Sequence, residues 1–335
     1  MPDKNHSPGP LTVFRRAAMA SDFEISLNEE DSDLFAESAL NALDEVDRLE
    51  EMLTYFRSSS WISRINALAS EMNVKVPEEL FQYLKECKDL FRETEGAFDI
   101  ACTPLWDLWG FARHERNIPT DREIQETLEK CGSDHLILKE EDLSVAFDRE
   151  GLRINMGGIG KGIALDRASC IMDRDDAKNY LLQGGKSSAI ARGGRKNDWI
   201  RSDHFGSKGS DALKRICWSI GIADPLHPDQ RLGELALQDR ALSTSGSQFQ
   251  FFRYKGKRYA HILDPRTGQP VSGIHSTIVL APTARLADAL STAFYVLGPD
   301  RTEDYCRNHS DTSAVFLLES KKAPYIEIKT VNIDL

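Results

Sequence analysis

Three oxygen-bearing residues, Asp288, Ser291 and Thr292, stand at positions i, i+3 and i+4 of a segment with helical spacing. In a helix, this spacing puts their side chains on one face. Carboxylate and hydroxyl oxygens suit a hard cation such as Mg²⁺. The alternative is that Asp288 faces solvent while the two hydroxyls bond to helix carbonyls. The spacing alone favours this alternative.

A glycine-rich run over 155–162 lies between a predicted strand and a predicted helix. Backbone N–H groups and the helix dipole at such a junction favour an anion such as phosphate. A Walker loop needs Gly at position 155 and Ser or Thr at position 162. This chain has Asn155 and Gly162 there, so the run does not fit a Walker loop. It does not fit GxGxxG either, because Ile163 replaces the last glycine. A tight structural turn explains the run equally well.

His261 ends a predicted strand, and the Asp, Pro and Gly of 264–268 predict a type I turn directly after it. A histidine can move a proton near neutral pH, but a lone one is more often structural. The aromatic cluster around Trp109, Gly110 and Phe111 could stack on a planar ring or fill a core.

The elements that must position these residues follow no strict βαβ alternation. Helical spacing predicts helices over 33–53, 77–94, 121–130, 162–172 and 284–297, and mostly strands from 215 onward. We therefore expect an α+β layered fold with a mixed or antiparallel sheet and packed helices. Residues 1–13 are predicted to be a polar leader. The Gly, Ser, Lys and Arg of 186–214 predict a polar surface insertion, with a mobile lid or docking loop as the alternative.

The composition excludes several function classes. The chain has 335 residues, 41% of them hydrophobic, and a net charge of −11, which argues against nucleic-acid and anionic membrane surfaces as partners. No apolar run is long enough for a membrane span. Six cysteines without a CxxC pair indicate buried, reduced thiols. As given, the chain is expected to be cytoplasmic, or periplasmic or membrane-anchored if a leader has been removed.

Five motifs, taken in order, resemble the ApbE family of FAD:protein FMN transferases. The segment 96–111 is similar to the family's GxFDxxxxPLxxLWGF, and 157–166 is similar to GGxxKGxxxD. Residues 244–246 correspond to TSG, 261–268 to HxxDPrTG and 287–293 to ADAxxTA. The resemblance covers roughly residues 14–297 and implies one α+β domain over 14–335.

The resemblance also implies site residues. It implies Mg²⁺ ligands at Asp288, Ser291 and Thr292, with a backbone oxygen near Gly158. It implies catalytic roles for Asp288 and for His261, the latter as acceptor of a hydroxyl proton. Asn155 departs from the family's usual Asp, which removes a charge but keeps a hydrogen-bonding amide. The implied flavin or nucleotide contacts are Met19, Phe56, Trp109, Gly110, Phe111, Asn155, Lys161 and Ile262.

The implied reaction transfers the FMN part of FAD to a Thr or Ser hydroxyl of an acceptor flavoprotein and releases AMP. Mg²⁺ is the implied cofactor, and FAD and the acceptor are the implied partners. One rival interpretation is an FAD pyrophosphatase that yields FMN and AMP. Two others are an FAD-binding carrier without chemistry and an interaction scaffold that has lost the nucleotide.

Overall fold

A computed structural model describes residues 9–111, 117–196, 199–200, 215–227, 229–247, 251–255, 257–320 and 325–333. Seven helices and seventeen strands lie in these ranges. The helices are α1 (Glu29–Leu53), α2 (Trp61–Leu68), α3 (Glu78–Glu93), α4 (Thr103–Leu108), α5 (Asp121–Leu128), α6 (Gly160–Arg174) and α7 (Ala284–Asn308).

The strands fall into one large sheet and several small ones. The large sheet has eight strands in the order β1-β2-β6-β7-β12-β15-β16-β17, and every neighbouring pair is antiparallel. The strands are β1 (Leu11–Ala18), β2 (Ser21–Asn28), β3 (Val74–Lys75), β4 (Leu136–Lys139), β5 (Ser144–Phe147), β6 (Tyr180–Gly184), β7 (Ser188–Arg192), β8 (Trp199–Ile200), β9 (Arg215–Ile216), β10 (Trp218–Ala223), β11 (Arg231–Leu237), β12 (Arg240–Gly246), β13 (Phe251–Tyr254), β14 (Lys257–Ala260), β15 (Ile274–Ala281), β16 (Ser313–Glu319) and β17 (Ile326–Val331).

Both faces of the large sheet are covered. The main core forms where α1, α6 and α7 pack on one face, with Leu43, Leu165 and Phe294 almost fully buried. On the other face, Trp218 and Leu235 of the β10–β11 hairpin pack against outward-facing sheet residues. The predicted α+β layered fold is therefore confirmed. None of the described helices is long and apolar enough to cross a membrane.

The predicted boundaries need three corrections. Residues 11–13, assigned to the leader, belong to β1. The predicted insertion at 186–214 contains β7, an inner strand of the large sheet, while 201–214 lie outside the described residues. Helix α1 begins at Glu29, before the predicted start at 33, because three acidic residues in its first turn suit the positive end of the helix dipole.

The last long helix, α7, is two helical segments joined at a break. Gly298 has φ 74° and ψ 174°, and Pro299 follows it. Proline lacks the N–H that a continuous helix would use, so the hydrogen-bond ladder is interrupted there. The first segment carries the predicted metal ligands, and the second packs Tyr305 edge-on against Phe294.

All six cysteines are free, as predicted, but they differ in exposure. Cys170 on α6 is exposed, Cys102 is half-buried, and the other four are buried. Burial raises the pKa of Cys131 to about 12 and that of Cys306 to about 11. Burial also raises the pKa of the Cys102 thiol well above its usual value. The thiol form therefore predominates at these buried positions at neutral pH.

Candidate functional site

A cavity of about 1280 Å³ opens where β7 ends and β12 continues past it. Its walls come from the beginning of α6, the first segment of α7, the β10–β11 hairpin and three connecting segments at 53–57, 97–106 and 261–265. The sheet end, the two helices and the connections thus meet around one space. Most of the residues predicted to act lie on its walls.

Asp288 is the buried acid of this cavity, with 4% of its surface exposed. Its Oδ1 accepts hydrogen bonds from Ser243 Oγ at 2.9 Å and Ser188 Oγ at 3.2 Å, and its Oδ2 accepts one from Gly162 N at 3.1 Å. Lys161 Nζ lies 3.5 Å from Oδ1. A buried carboxylate needs such partners, since burial without them is costly. The alternative in which Asp288 faces solvent is therefore wrong.

Helices α6 and α7 are held together beside Asp288. The carboxylate of Asp166 accepts from Ala284 N at 2.7 Å and from Arg285 N at 3.1 Å, which satisfies free N–H groups at the start of α7. Burial raises the pKa of Asp166. A Cβ placed on Gly162 would lie 2.4 Å from both Ala284 O and Arg285 Cα. Only glycine permits this approach, so the two helices have little freedom to shift.

Of the predicted oxygen triplet, Thr292 and Asp288 line the cavity, whereas Ser291 does not. Ser291 is fully buried, and its Oγ donates to Asp288 O at 2.9 Å. The Ser291 hydroxyl therefore bonds to a helix carbonyl, which is what the alternative interpretation of the sequence predicted for it. Ser245 Oγ on β12 lies 2.8 Å from Ser291 Oγ and 3.1 Å from Thr292 Oγ1. Ser245 is thus a cavity hydroxyl; it lies in the 244–246 segment that resembles TSG, but no site role was predicted for it.

The donor set around Asp288 fits a hard cation. Gly158 adjoins Thr292, because a Cβ placed on Gly158 would lie 3.8 Å from Thr292 Oγ1. Asp288, Thr292 and the backbone at Gly158 offer only oxygen ligands, which Mg²⁺ prefers. In the part of the chain that the structure describes, no group of three His, Cys, Asp or Glu could hold a metal ion. A cation here would therefore have one carboxylate and take further ligands from substrate oxygens or water.

The residues predicted to contact the nucleotide fall into two sets. Met19, Phe56, Asn155, Lys161 and Ile262 all line the cavity. Phe56 is 72% exposed, so its ring is available at the cavity opening. Asn155 Oδ1 accepts from Gly157 N at 2.9 Å, which fixes the glycine-rich turn from within.

Trp109, Gly110 and Phe111 form the second set, and they do not line the cavity. Trp109 is 1% exposed and donates from Nε1 to Gly268 O at 2.8 Å. Phe111 packs on Phe252, with ring centroids 5.6 Å apart. These aromatic rings fill a core beneath the 264–268 turn. Trp106, one helical turn earlier, lines the cavity instead.

His261 lines the cavity beside a well-bonded turn. The carbonyl of Asp264 accepts from Thr267 N at 3.2 Å and from Gly268 N at 2.8 Å. The Arg266 guanidinium pairs with the Asp264 carboxylate at 2.8 Å. The predicted turn is therefore present. Together with the Trp109 bond to Gly268, it fixes the loop that begins at His261.

Two parts of the wall were not predicted as contact sites: the 97–103 segment and the β10–β11 hairpin. In the first, Asp99 is 8% exposed and accepts from Ala101 N at 2.8 Å and from Ser133 Oγ. Burial raises its pKa to about 6. In the sequence, the Gly-Ala-Phe-Asp motif at 96–99 was the feature that could have indicated this segment. The hairpin gives no local signal, because only the folded sheet brings it over the cavity.

Comparisons with known proteins agree with this geometry. The model of the ApbE family matches residues 19–317. A FAD:protein FMN transferase of Escherichia coli K12 is 27% identical over 312 residues, covering 91% of this chain and 84% of that protein. One of Vibrio cholerae serotype O1 is 31% identical over 267 residues, covering 77% and 73%. The crystal structure of the ApbE protein of Thermotoga maritima has a TM-score of 0.79 and 26% identity, covering 96% of this chain and 97% of that one. The chain belongs to the ApbE family.

Proposed function

We propose that this chain transfers the FMN part of FAD to a Thr or Ser hydroxyl of an acceptor protein and releases AMP, with Mg²⁺ as cofactor. One observation carries the proposal: Lys161, Asp288 and Thr292 meet in a cavity that also has aromatic and apolar walls. A pyrophosphate with a planar ring system on each side matches this division. The Escherichia coli and Vibrio cholerae relatives are named FAD:protein FMN transferases, which supports the transfer of FMN from FAD to a protein.

The beginning of α6 is suited to hold the pyrophosphate. Lys161 lies in its first turn and lines the cavity, so its ammonium and the positive end of the helix dipole act on the same anion. Asn155 stabilises the turn before the helix through its bond to Gly157 N. Its neutral amide adds no repulsion toward phosphate. Positioning by these groups is the main requirement of phosphoryl transfer.

Asp288 and Thr292, with the backbone at Gly158, would hold the Mg²⁺. When bound, the cation neutralises charge on the phosphate oxygens and orients them. Ser243 and Ser188 donate to Asp288 Oδ1 and fix the direction of its carboxylate. The carboxylate is thereby oriented before substrate arrives, which lowers the reorganisation needed during the reaction.

His261 is assigned the proton transfer. The acceptor hydroxyl oxygen forms a bond to the FMN-side phosphorus while the bond from that phosphorus to the AMP oxygen breaks. The imidazole of His261 takes the hydroxyl proton, and AMP leaves with the electron pair of the broken bond. The bonded turn at 264–268 keeps this histidine at the cavity wall. A base must be within hydrogen-bond reach of the proton it removes.

The first test measures AMP release and the mass of synthetic Thr- and Ser-containing peptides and of a co-expressed flavoprotein, with and without Mg²⁺. A mass gain of one FMN, matched by AMP and lost on chelation, is expected. Asp288→Ala should abolish it, because the cation loses its only carboxylate ligand. Asp304→Ala, an exposed change on the second segment of α7, is the matched control and should keep full activity. Full activity in Asp288→Ala would contradict the metal assignment.

The same assay separates transfer from hydrolysis. Free FMN and AMP without any peptide adduct would indicate an FAD pyrophosphatase, since water would then take the place of the acceptor hydroxyl. Bound FAD with no AMP would indicate a carrier. For His261→Gln, we expect slower transfer with a changed pH profile. An unchanged profile across neutral pH would remove His261 as the base.

A further inference from the structure

The cavity has a second arm on the opposite face of the large sheet from Asp288. We propose that the acceptor polypeptide binds there as an added strand along the β7-side edge of β12 at 244–246, with an apolar side chain placed under the β10–β11 hairpin. This inference rests on the proposed transfer and names the site of its second substrate. An extended peptide added to a sheet edge is a common mode of recognition.

The edge exists because β7 is shorter than β12. Strand β12 pairs with β15 from Ala241 to Gly246, but its pairing with β7 stops at Ser243. Beyond Ser243, one further hydrogen bond joins Thr244 N to Ser187 O at 2.7 Å on the β7 side. In an antiparallel ladder, alternate residues direct their backbone groups to opposite neighbours. The N–H and C=O of Gly246 therefore point to the side where β7 no longer runs.

The pairing on the β15 side supports this assignment. Ser247 N donates to His275 O at 3.1 Å, so Ser247 and Ser245 face β15 while Thr244 and Gly246 face the β7 side. Thr244, Ser245 and Gly246 all line the cavity. A segment lying along this edge would run past Ser245, whose Oγ is 3.1 Å from Thr292 Oγ1. Its hydroxyl residue would thus come close to the phosphate-binding groups.

The apolar arm lies beside this edge. Successive side chains of β12 alternate between faces, so Ser243 and Ser245 point to α7 while Leu242 and Thr244 point to the hairpin. Ile220, Ile222 and Leu235 of the hairpin contribute to the wall of the cavity, together with Ile278 and Leu317 of the sheet. The side chains that β10, β11, β15 and β16 place on this arm are mostly apolar, while Asp229 in the hairpin connection and Lys186 before β7 also line the cavity. The arm therefore suits a segment with an apolar residue.

The cavity has room on both faces of the sheet end. Its volume is about 1280 Å³, and its walls come from residues on both faces of β12. Group transfer requires both reactants to be held together in one orientation. Lys161 and Asp288 line the helix end, Phe56 and Trp106 line other parts of the wall, and the hairpin arm lies on the opposite face of the sheet. We assign FAD to the part lined by Lys161 and Asp288 and the acceptor to the arm.

The first test separates the acceptor from FAD. In the double variant Ile220→Ala, Ile222→Ala, we expect the KM for the best acceptor peptide to rise about tenfold or more, while the Kd for FAD, followed by flavin fluorescence, stays unchanged. Leu232→Ala is the matched control on the same hairpin, because Leu232 is 37% exposed and does not line the cavity. An equal loss of FAD affinity would assign the arm to a flavin ring and overturn the proposal. So would an unchanged acceptor KM.

The second test examines strand pairing. Each backbone amide is N-methylated in turn in a peptide whose acceptor Thr is replaced by Val, and binding of the dye-labelled peptide to the FAD-loaded enzyme is measured by anisotropy. Because Thr244 N is already bonded to Ser187 O, edge pairing with Gly246 predicts a large loss at one amide and little effect at its neighbours. A uniform effect, or none, would overturn it. Because binding is measured without turnover, this result remains separate from any failure of the proposed transfer.

Discussion

The two ends of the cavity are built in different ways. At the helix end, Asp288 and the hydroxyls around it are buried and joined by hydrogen bonds between α6, α7 and the sheet. At the opening, Phe56 is 72% exposed, and its ring packs edge-on against that of Tyr55. Fixed polar groups suit a charge whose position must not vary, whereas an exposed ring can adjust to its ligand. Substitutions should therefore affect folding at the helix end and mainly binding at the opening.

The largest effect is expected at Gly162. In Gly162→Ala, the new Cβ would meet the backbone of α7 at 2.4 Å, so the helices must separate or the chain must strain. We expect about 3 kcal/mol or more of lost unfolding free energy, measured by urea denaturation.

Gly160→Ala is the matched control for that change. A Cβ at Gly160 would have its nearest neighbour at 4.0 Å, which is ordinary contact. Its unfolding free energy should stay within about 1 kcal/mol of the unsubstituted chain. Equal stability of the two variants would show that the helix end is not as tightly packed as the backbone distances indicate.

A pH effect is expected at Asp99, in the wall segment between the two ends. Its folded pKa of about 6 lies above the ordinary 3.8, so as the pH falls the folded chain binds the proton before the unfolded chain does. Asp99 should therefore add stability as the pH falls from about 6 to about 4 and lose it as the pH rises through about 6, by at most about 3 kcal/mol. The unfolding free energy of the unsubstituted chain, relative to that of Asp99→Asn, should rise by up to about 3 kcal/mol as the pH falls from about 6 to about 4. A difference that stays constant over this range would contradict the assignment.

A smaller stability effect with a clear functional consequence is expected at Ser243. In Ser243→Ala, Asp288 loses a buried donor at 2.9 Å, which should cost about 2 kcal/mol. The Mg²⁺ concentration for half-maximal activity should rise about tenfold or more, because the carboxylate loses an orienting partner. Ser219→Ala, whose hydroxyl bonds to exposed Glu234, is the control and should change neither quantity. An unaltered Mg²⁺ requirement in Ser243→Ala would argue against orientation by Ser243.

The smallest stability effect is expected at Phe56. Because its side chain is largely exposed, Phe56→Ala should change the unfolding free energy by less than about 0.5 kcal/mol. The Kd for FAD should rise about tenfold through loss of an aromatic contact. Leu34→Ala, equally exposed at 75% on α1, should affect neither. A marked loss of stability in Phe56→Ala would contradict the contrast between the two ends.

The helix end could be predicted from the sequence to a large extent. The i, i+3, i+4 pattern at 288–292 correctly placed three residues on one face of α7, and the glycine-rich run correctly marked the start of α6. The pattern could not show that Ser291 is directed into the helix packing. Both rotamers of a serine are compatible with the spacing, and the choice depends on β12, which is distant in the chain.

The opposite face of the sheet was harder to predict for physical reasons. Strand β7 is buried at four of its five positions, so it lacks the period-two alternation that marks a half-buried strand. The aromatic cluster near Gly and Pro fits either a ring contact or a core, and only the resemblance to the ApbE family implied that Trp109 contacts the ligand. The hydrogen bond from Trp109 to Gly268, 159 positions later in the chain, holds this ring in the core. No local sequence pattern contains that information.

The cysteines differ in exposure, so labelling their thiols can report the order in which parts of the chain unfold. Only Cys170 is fully accessible in the folded molecule, and thiolates rather than thiols react with alkylating reagents. A brief maleimide pulse should therefore add one label to the native chain. Further labels would appear only as segments open, with Cys87 reporting α3, Cys217 the base of the hairpin and Cys306 the second segment of α7. Counting the labels by mass spectrometry at increasing urea concentration would show the order in which these segments unfold.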